Sequence, residues 1–176
     1  MTLKVATDGG CINNPGPGGW AWYVDEDNWA SGALDDTTNN VMELTAILRA
    51  ATDIPGHLDI ELLVDSQYAI KATSHGKDGW VDGWIKKGWR TAGGSPVKNV
   101  ELIQAAVAAL DARTGSTIFT WVKGHAGHEL NSLADEIANR RARRQSWHDG
   151  PGWTGANTVS SRDTKIPTPE MNGRHS

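Results

Sequence analysis

The first residues of the chain alternate between apolar and more polar positions, which is the period of a β-strand. Leu3, Val5 and Thr7 share one face of this strand, and the alternating positions end in Asp8. Two glycines follow Asp8, so the strand is predicted to end there in a turn. A carboxylate at the end of an inner strand is costly unless positive charge compensates it. Asp8 is therefore a candidate site residue, and an ordinary turn aspartate is the alternative.

The next part of the chain predicts an antiparallel meander followed by a helix. Glycine-rich residues 16–19 form a turn, and strands are predicted at residues 20–24 and 29–34. A helix is predicted over residues 41–52, and Glu43 falls on the side of it that faces the core. Because glutamate is rarely buried without a partner, this position favours a functional site.

The second half of the chain predicts parallel strands. A strand over residues 59–66 carries Asp65 at its end, and a helix separates it from the meander, which suits a parallel crossover beside the first strand. Asp8 and Asp65 then emerge at the carboxyl edge of the sheet, where ligands bind in open α/β sheets. A fifth strand is predicted at residues 117–122. The remaining predicted helices cover residues 66–74, 97–112 and 131–145, the last with Asp135 in its first turn.

Charge is distributed unevenly, although the formal net charge of the chain is −4. Residues 1–69 carry a net charge of −9, residues 70–100 carry +4, and the remaining residues carry +1. An acidic body beside a basic, tryptophan-rich segment suggests a site that gathers cations next to a surface that gathers phosphates. Ordinary surface charge is the alternative.

Composition excludes several classes of protein. Cys11 is the single cysteine, so a disulfide framework within one chain is impossible. No apolar run approaches the length of a membrane span, and no signal segment opens the sequence. We therefore expect a soluble cytoplasmic protein that does not contact a membrane. Residues 146–176 are rich in Gly, Pro, Ser and Thr and are predicted to form a mostly disordered tail.

Four carboxylates have structural reasons to meet. Asp8 and Asp65 end neighbouring strands, Glu43 faces inward, and Asp135 opens the last helix. Clustered carboxylates repel one another unless cations occupy the site, and oxygen ligands suit Mg²⁺ or Mn²⁺. Two such ions ~4 Å apart activate a water and stabilise the leaving oxygen of a phosphodiester. For Asp135 the alternative is a first-turn acid that only stabilises the helix dipole.

Six ordered blocks of sequence resemble the type 1 ribonuclease H family, which cuts the RNA strand of RNA–DNA hybrids, and the resemblance covers residues 1–145. The blocks are Thr7-Asp8-Gly9-Gly10-Cys11 with Asn14-Pro15-Gly16-Pro17-Gly18-Gly19, Thr38-Asn39-Asn40 with Met42-Glu43-Leu44, Val64-Asp65-Ser66-Gln67-Tyr68, Gly83-Trp84 with Lys86-Lys87-Gly88-Trp89, Pro96-Val97-Lys98-Asn99, and Lys123-Gly124-His125-Ala126-Gly127-His128 with Asn131 and Ala134-Asp135.

This resemblance implies an α/β ribonuclease H-like fold with a five-stranded mixed sheet flanked by helices. It implies one domain over residues 1–145, with a basic protrusion at about residues 76–98, and we expect this domain to act as a monomer. The implied activity is endonucleolytic cleavage by two metal ions, Mg²⁺ with Mn²⁺ as a substitute, leaving 3′-hydroxyl and 5′-phosphate ends. The alternatives are a hybrid-binding module without activity and a resolvase- or transposase-like DNA nuclease of the same fold.

The resemblance also assigns roles to individual residues. It makes Asp8, Glu43, Asp65 and Asp135 the metal ligands and His125 a mobile catalytic histidine, whose role is either proton transfer from the water or product release. The residues that it implies for substrate binding are Cys11, Asn14, Thr38, Asn39, Gln67, Trp80, Lys86, Lys87, Arg90, Lys98 and Asn131. Turn and cap chemistry is the alternative for Asn14 and Asn39, and Trp84 is expected in the core.

Overall fold

A computed structural model of the chain describes residues 1–123 and 128–156. The strands are β1 (Leu3–Cys11), β2 (Gly16–Asp25), β3 (Asn28–Thr37), β4 (Ile60–Val64) and β5 (Thr117–Trp121). The helices are α1 (Asn39–Asp53), α2 (Gln67–Ala72), α3 (Val81–Lys86), α4 (Val100–Asp111) and α5 (Glu129–Ala142). The five strands form one sheet in the order β3-β2-β1-β4-β5. Strands β1, β2 and β3 pair antiparallel, and β4 pairs parallel with both β1 and β5, so the predicted mixed sheet is confirmed.

Helices cover both faces of this sheet. Successive residues of a strand point to opposite faces, and Val5 and Ala6 of β1 accordingly belong to different hydrophobic clusters. Val5 lies in the cluster that contains Leu44 of α1, whereas Ala6 lies in the cluster that contains Ala134 of α5. None of the helices in the described part of the chain has the length and apolarity that crossing a membrane requires.

Strand β1 is longer than predicted, and its glycines do not form a turn. Gly9 and Gly10 continue the antiparallel pairing with β2 as far as Cys11. A Cβ atom on Gly9 would lie 2.3 Å from the backbone carbon of Met42 and 2.5 Å from the backbone nitrogen of Glu43. Glycine is therefore required at position 9 by the close approach of α1. Residues 16–19, also predicted as a turn, likewise lie within β2.

Helix α1, which carries Glu43, is anchored at both ends. The side chain of Thr38 accepts a hydrogen bond from the backbone N–H of Val41 at 3.2 Å, which places the N-cap three residues before the predicted helix start. At the other end, the buried guanidinium of Arg113 donates to the backbone oxygens of Ala51 and Ile54. It also donates to the backbone oxygens of the two residues Pro55 and Leu58. The carbonyl of Ala51 in the last helical turn and that of the C-cap residue Ile54, which the helix leaves without an intrahelical donor, are satisfied in this way.

Residues 146–156 are structured, which differs from the disordered tail predicted to begin at residue 146. The backbone N–H of Ser31 in β3 donates to the oxygen of Asp149, and Gly152 donates to the oxygen of Trp29. The Trp153 side chain packs against the larger hydrophobic cluster. Composition alone missed this segment because its ordering depends on the exposed edge of β3, which is remote in sequence. The remainder of the predicted tail, residues 157–176, lies outside the described residues.

Candidate active site

Three carboxylates from separate segments meet at the carboxyl edge of the sheet. Asp8 lies in β1, Glu43 in α1, and Asp65 directly after β4. Thr7 pairs with Val64 in parallel register, so the residues that follow them, Asp8 and Asp65, emerge side by side. One ligand oxygen from each of the three acids lies within 4.8 Å of the other two.

Burial and mutual repulsion change the titration of this cluster. Asp8 and Glu43 are buried. Desolvation, a hydrogen bond to Asp135 and the charge of Asp65 raise the pKa of Asp8 to about 8. Desolvation and the charges of Asp8 and Asp65 raise the pKa of Glu43 well above its usual value. The folded chain therefore holds these carboxyl groups together at a cost in free energy that a bound cation offsets.

Asp135 joins the cluster from α5 through its side-chain hydrogen bond to Asp8. Helix α5 begins at Glu129, two residues before the predicted start, and Glu129 is the acidic residue of its first turn. Asp135 consequently lies in the second turn, too far from the helix terminus for stabilisation of the helix dipole to explain it. Ala134 and Ala138 pack this helix onto the sheet and hold Asp135 at the sheet edge.

The arrangement fits a divalent cation with oxygen ligands. The Oε2 atom of Glu43 is buried and has no hydrogen-bond partner among the residues that the structure describes. A buried anionic oxygen without a donor is expensive unless a metal ion or a proton compensates it. Carboxylate oxygens suit hard cations such as Mg²⁺ or Mn²⁺ better than they suit zinc.

Asn131 supports the site from within the fold. Its side chain is 1% exposed, and its Nδ2 atom donates to the backbone oxygen of Leu63 in β4 at 3.0 Å. Burial places this amide against β4, the strand that precedes Asp65, and the expectation that Asn131 binds substrate stays a prediction. Sequence alone did not reveal this contact because it joins two distant elements.

Three polar residues expected to read the RNA strand are linked by hydrogen bonds. The Oδ1 atom of Asn39 accepts from the backbone N–H of Cys11 at 2.8 Å, and the Oδ1 atom of Asn14 accepts from that of Asn39 at 3.1 Å. The thiol of Cys11 donates to the same Asn14 oxygen at 3.4 Å. Thr38, rather than Asn39, caps α1. The side chain of Asn39 can therefore hydrogen-bond to β1 and connect the start of the helix to this strand. Gln67 is exposed as the first residue of α2.

A row of aromatic rings runs from α2 into the segment around α3. The rings of Tyr68 and Trp80 are 5.9 Å apart, those of Trp80 and Trp84 are 5.6 Å apart, and those of Trp84 and Trp89 are 5.9 Å apart. The Nζ atom of Lys71 lies 5.8 Å from the centre of the Trp80 ring. Trp80 is exposed, whereas Trp84 is half-buried against the larger hydrophobic cluster, where it was expected. Sequence reasoning did not assign Tyr68 and Lys71 to this surface, because both come from α2.

The basic residues expected to bind phosphate are on the surface. The residues in question are Lys86, Lys87, Arg90 and Lys98, and all four are exposed. The side chain of Arg90 donates to the backbone oxygen of Gly94, and Thr91 and Ser95 close the turn between them. His125 lies outside the described residues.

One further contact to the cluster was not predicted from the sequence. The indole Nε1 of Trp121, the last residue of β5, donates to the backbone oxygen of Asp65 at 3.0 Å. Its only signal in the sequence is a tryptophan at the end of a predicted strand, shortly before the Lys123-Gly124-His125 sequence.

Comparisons with known proteins give consistent similarities. A family model described as RNase H matches residues 1–143. A protein named Ribonuclease H from Tropheryma whipplei (strain Twist) is 43% identical over 158 residues, covering 86% of this chain and 94% of that protein. Another Ribonuclease H, from Hahella chejuensis (strain KCTC 2396), is 46% identical over 141 residues, covering 78% of this chain and 91% of that protein. The solved structure of LC9-RNase H1, described as a type 1 RNase H with the type 2 active-site motif, superposes with a TM-score of 0.66 at 27% identity, covering 86% of this chain and 77% of that one.

Proposed function

Since the chain belongs to the ribonuclease H family and is a ribonuclease H enzyme, we propose that it cuts the RNA strand of RNA–DNA hybrids by metal-dependent hydrolysis at the carboxylate cluster. The observation that carries this proposal is the convergence of Asp8, Glu43 and Asp65, whose ligand oxygens lie within 4.8 Å of one another. Asp135 is the fourth member through its hydrogen bond to Asp8. Such a cluster of buried acids is worth its electrostatic cost only when cations occupy it.

The four carboxylates would hold two Mg²⁺ ions, with Mn²⁺ as a substitute. When bound, the ions supply activation of the attacking water and stabilisation of the departing 3′ oxygen. The position of each carboxylate is fixed by a different element, β1, β4, α1 or α5, so the four ligands are held independently of one another. Attack of water on the phosphorus breaks its bond to the 3′ oxygen, which leaves 3′-hydroxyl and 5′-phosphate ends. We assign His125 to proton transfer or product release on the resemblance of its sequence block alone.

Recognition of the hybrid is proposed to divide between two surfaces. Cys11, Asn14, Asn39 and Gln67 offer small polar groups and backbone amides that suit the 2′-hydroxyls of RNA. The DNA strand is assigned to the side of the exposed Trp80, since aromatic faces stack on nucleotides. The residues proposed to neutralise its phosphates or to form its phosphate pocket are Thr38, Lys86, Lys87, Arg90 and Lys98.

We also propose that the enzyme acts as a monomer in the cytoplasm. Residues 146–156 form backbone hydrogen bonds with the outer edge of β3 at Trp29 and Ser31, so this part of the edge is not open to strand pairing with a second copy. Sedimentation velocity over a range of concentrations tests this, and a dimer at low concentration would contradict it.

The decisive experiment is digestion of labelled RNA–DNA hybrid, duplex DNA and duplex RNA with Mg²⁺, with Mn²⁺ and with chelator. We expect cleavage of the RNA strand of the hybrid alone, dependent on metal, and none by an Asp65→Asn variant. Equal inertness of wild type and variant would indicate a hybrid-binding module. Preference for duplex DNA would indicate a resolvase-like nuclease, and either result would overturn the proposal.

A further inference from the structure

Asp65 is less buried than its neighbours Asp8 and Glu43 in the carboxylate cluster. Asp8 and Glu43 are enclosed by the core, whereas Asp65 is half-exposed just beyond the end of β4. Packing therefore constrains Asp65 less than it constrains the other two. The repulsion of its neighbours would displace its carboxylate unless the backbone around it is held in another way.

The end of β5 provides this restraint through its last residue, Trp121, and the residue that follows it, Val122. The backbone N–H of Val122 donates to the oxygen of Val64 at 2.9 Å, and the indole N–H of Trp121 donates to the oxygen of Asp65 at 3.0 Å. These two oxygens belong to the peptide groups on either side of the Asp65 Cα atom. Because a peptide group is planar, restraining both groups restrains the two backbone dihedrals of Asp65 and hence the direction of its Cα–Cβ bond, from which the carboxylate extends.

The position of the Trp121 ring is itself determined by the sheet. Val64 and Trp121 are register partners in the parallel β4–β5 ladder, so Trp121 lies beside the residue that precedes Asp65. After Asp65 the chain enters α2, whose N-cap Ser66 accepts from the backbone N–H of Ala69 at 3.1 Å. Asp65 is thus held between a paired strand end and a capped helix.

Burial of the ring does not explain the tryptophan. Its side chain is 47% exposed, and its hydrogen bond goes to the backbone of a carboxylate residue rather than to the core. From these contacts we propose that Trp121 is a positioning residue, which orients the Asp65 carboxylate for metal binding through the indole–carbonyl hydrogen bond. This inference rests on the metal-dependent function proposed above. Mg²⁺ demands near-ideal octahedral geometry, so small errors in the direction of a ligand weaken its binding.

The test is a Trp121→Phe variant, which keeps an aromatic ring and removes the N–H donor. Its matched control is Trp147→Phe, because Trp147 is 74% exposed and lies in the segment that covers β3. Binding of Mn²⁺ without substrate is measured from the free-ion signal in electron paramagnetic resonance, and kcat and KM are measured on a labelled hybrid. Loss of a group that orients a metal ligand weakens binding ~10-fold or more.

We expect Trp121→Phe to weaken Mn²⁺ binding about tenfold and to lower kcat at limiting metal, with partial recovery at high metal and with KM for the hybrid unchanged. Trp147→Phe should match wild type in all these measurements. A rise in KM with metal affinity intact would make Trp121 a nucleic-acid contact and would overturn the inference. A lower melting temperature with unchanged metal affinity would do the same, because it indicates a purely structural role.

The wild-type protein distinguishes failure of this inference from failure of the proposed function. If wild type binds Mn²⁺ but leaves the hybrid intact, the proposed function fails. The ratio of the Mn²⁺ affinities of wild type and Trp121→Phe then still decides the role of Trp121. A wild-type protein that binds no metal would overturn both.

Discussion

The side chains of Asp8 in β1 and Asp135 in α5 are joined by a hydrogen bond. Two carboxyl groups share a hydrogen bond only when one of them carries the proton. Burial raises the pKa of Asp8 to about 8, so the proton remains on this pair near neutral pH when no metal is bound. Cation binding must displace it, which couples metal affinity to pH: affinity should rise as the pH increases towards that value.

This coupling predicts that Asp8→Asn stabilises the metal-free protein. A folded-state pKa raised from 3.8 means that ionisation of Asp8 in the unfolded chain favours unfolding as the pH rises above 3.8, up to its folded pKa. The amide side chain of the variant does not ionise, so it lacks this destabilising contribution. The free energy of unfolding in chelator at neutral pH should therefore rise by ~2 kcal/mol and the melting temperature by ~5 °C. Activity should be lost, and Mg²⁺ should raise the melting temperature of wild type more than that of the variant. A destabilised variant in chelator would contradict the expected repulsion.

Two neighbouring glycines offer a matched test of how α1 positions Glu43. A Cβ atom at position 9 would overlap the backbone of Met42 and Glu43, whereas at position 10 the nearest atom, Oδ1 of Asn39, is 3.9 Å away. Gly9→Ala should therefore displace α1 and lower kcat ~100-fold, since a shift of about 1 Å at a reactive group has that effect. It should also reduce the free energy of unfolding by ~2 kcal/mol. Gly10→Ala should remain close to wild type in urea unfolding and in kcat, and equal losses in both variants would rule out the proposed role of the α1 contact.

The buried Arg113 predicts a stability defect without a catalytic one. Its guanidinium donates to four backbone oxygens around the end of α1, which the single ammonium of lysine is unable to match. Arg113→Lys should reduce the free energy of unfolding, measured in urea, by ~3 kcal/mol. Arg140→Lys changes an exposed pair with Glu136 and should cost less than ~0.5 kcal/mol. A similar cost for the two variants would mean that the four carbonyl contacts contribute little.

His75 predicts a pH-dependent term in stability. Its ring nitrogens bond Asp82 at 2.7 Å and Asp111 at 3.0 Å, and these hydrogen bonds raise the pKa of His75 above 6.5. The stabilisation is fully present below 6.5, the unfolded value, and is lost as the pH rises through the higher folded pKa. His75→Gln should therefore lower the melting temperature by ~1 °C in acidic buffer, because the pair is exposed, with no difference in alkaline buffer. His57→Gln, at another exposed position, is the control, and a pH-independent difference for His75 would contradict the assignment.

Truncation tests how much residues 146–156 contribute to the stability of the fold. A chain that ends at residue 145 loses the hydrogen bonds from residues 149 and 152 to β3 and the packing of Trp153. Exposure of this apolar contact and of the strand edge should lower the free energy of unfolding by at least ~2 kcal/mol and favour self-association. A chain that ends at residue 156 keeps these contacts, so it should unfold at higher urea than the shorter chain and remain monomeric in size-exclusion chromatography. Equal stability of both truncated chains would show that residues 146–156 add nothing to the fold.

The local pattern of apolar and polar residues was sufficient to predict the sheet and the placement of three of the four carboxylates. Alternating apolar residues in β1 and β4, with a helix between them, imply parallel neighbours, and parallel neighbours present Asp8 and Asp65 at one edge. Glu43 was assigned from its position on the inner face of α1, and the structure buries it there. These inferences succeeded because strand and helix periods are properties of short segments.

Periodicity along the chain therefore predicts the order of the elements and which residues face inward. The packing of these elements was needed to explain why Gly9 is a glycine, and to reveal that Asn131 is buried against β4, that Trp121 bonds Asp65, and that residues 146–156 belong to the fold. Each of these depends on a distance between segments far apart in the chain. The physical reason is that periodicity encodes the direction of a side chain, whereas the partner that it meets is known only once the elements have packed.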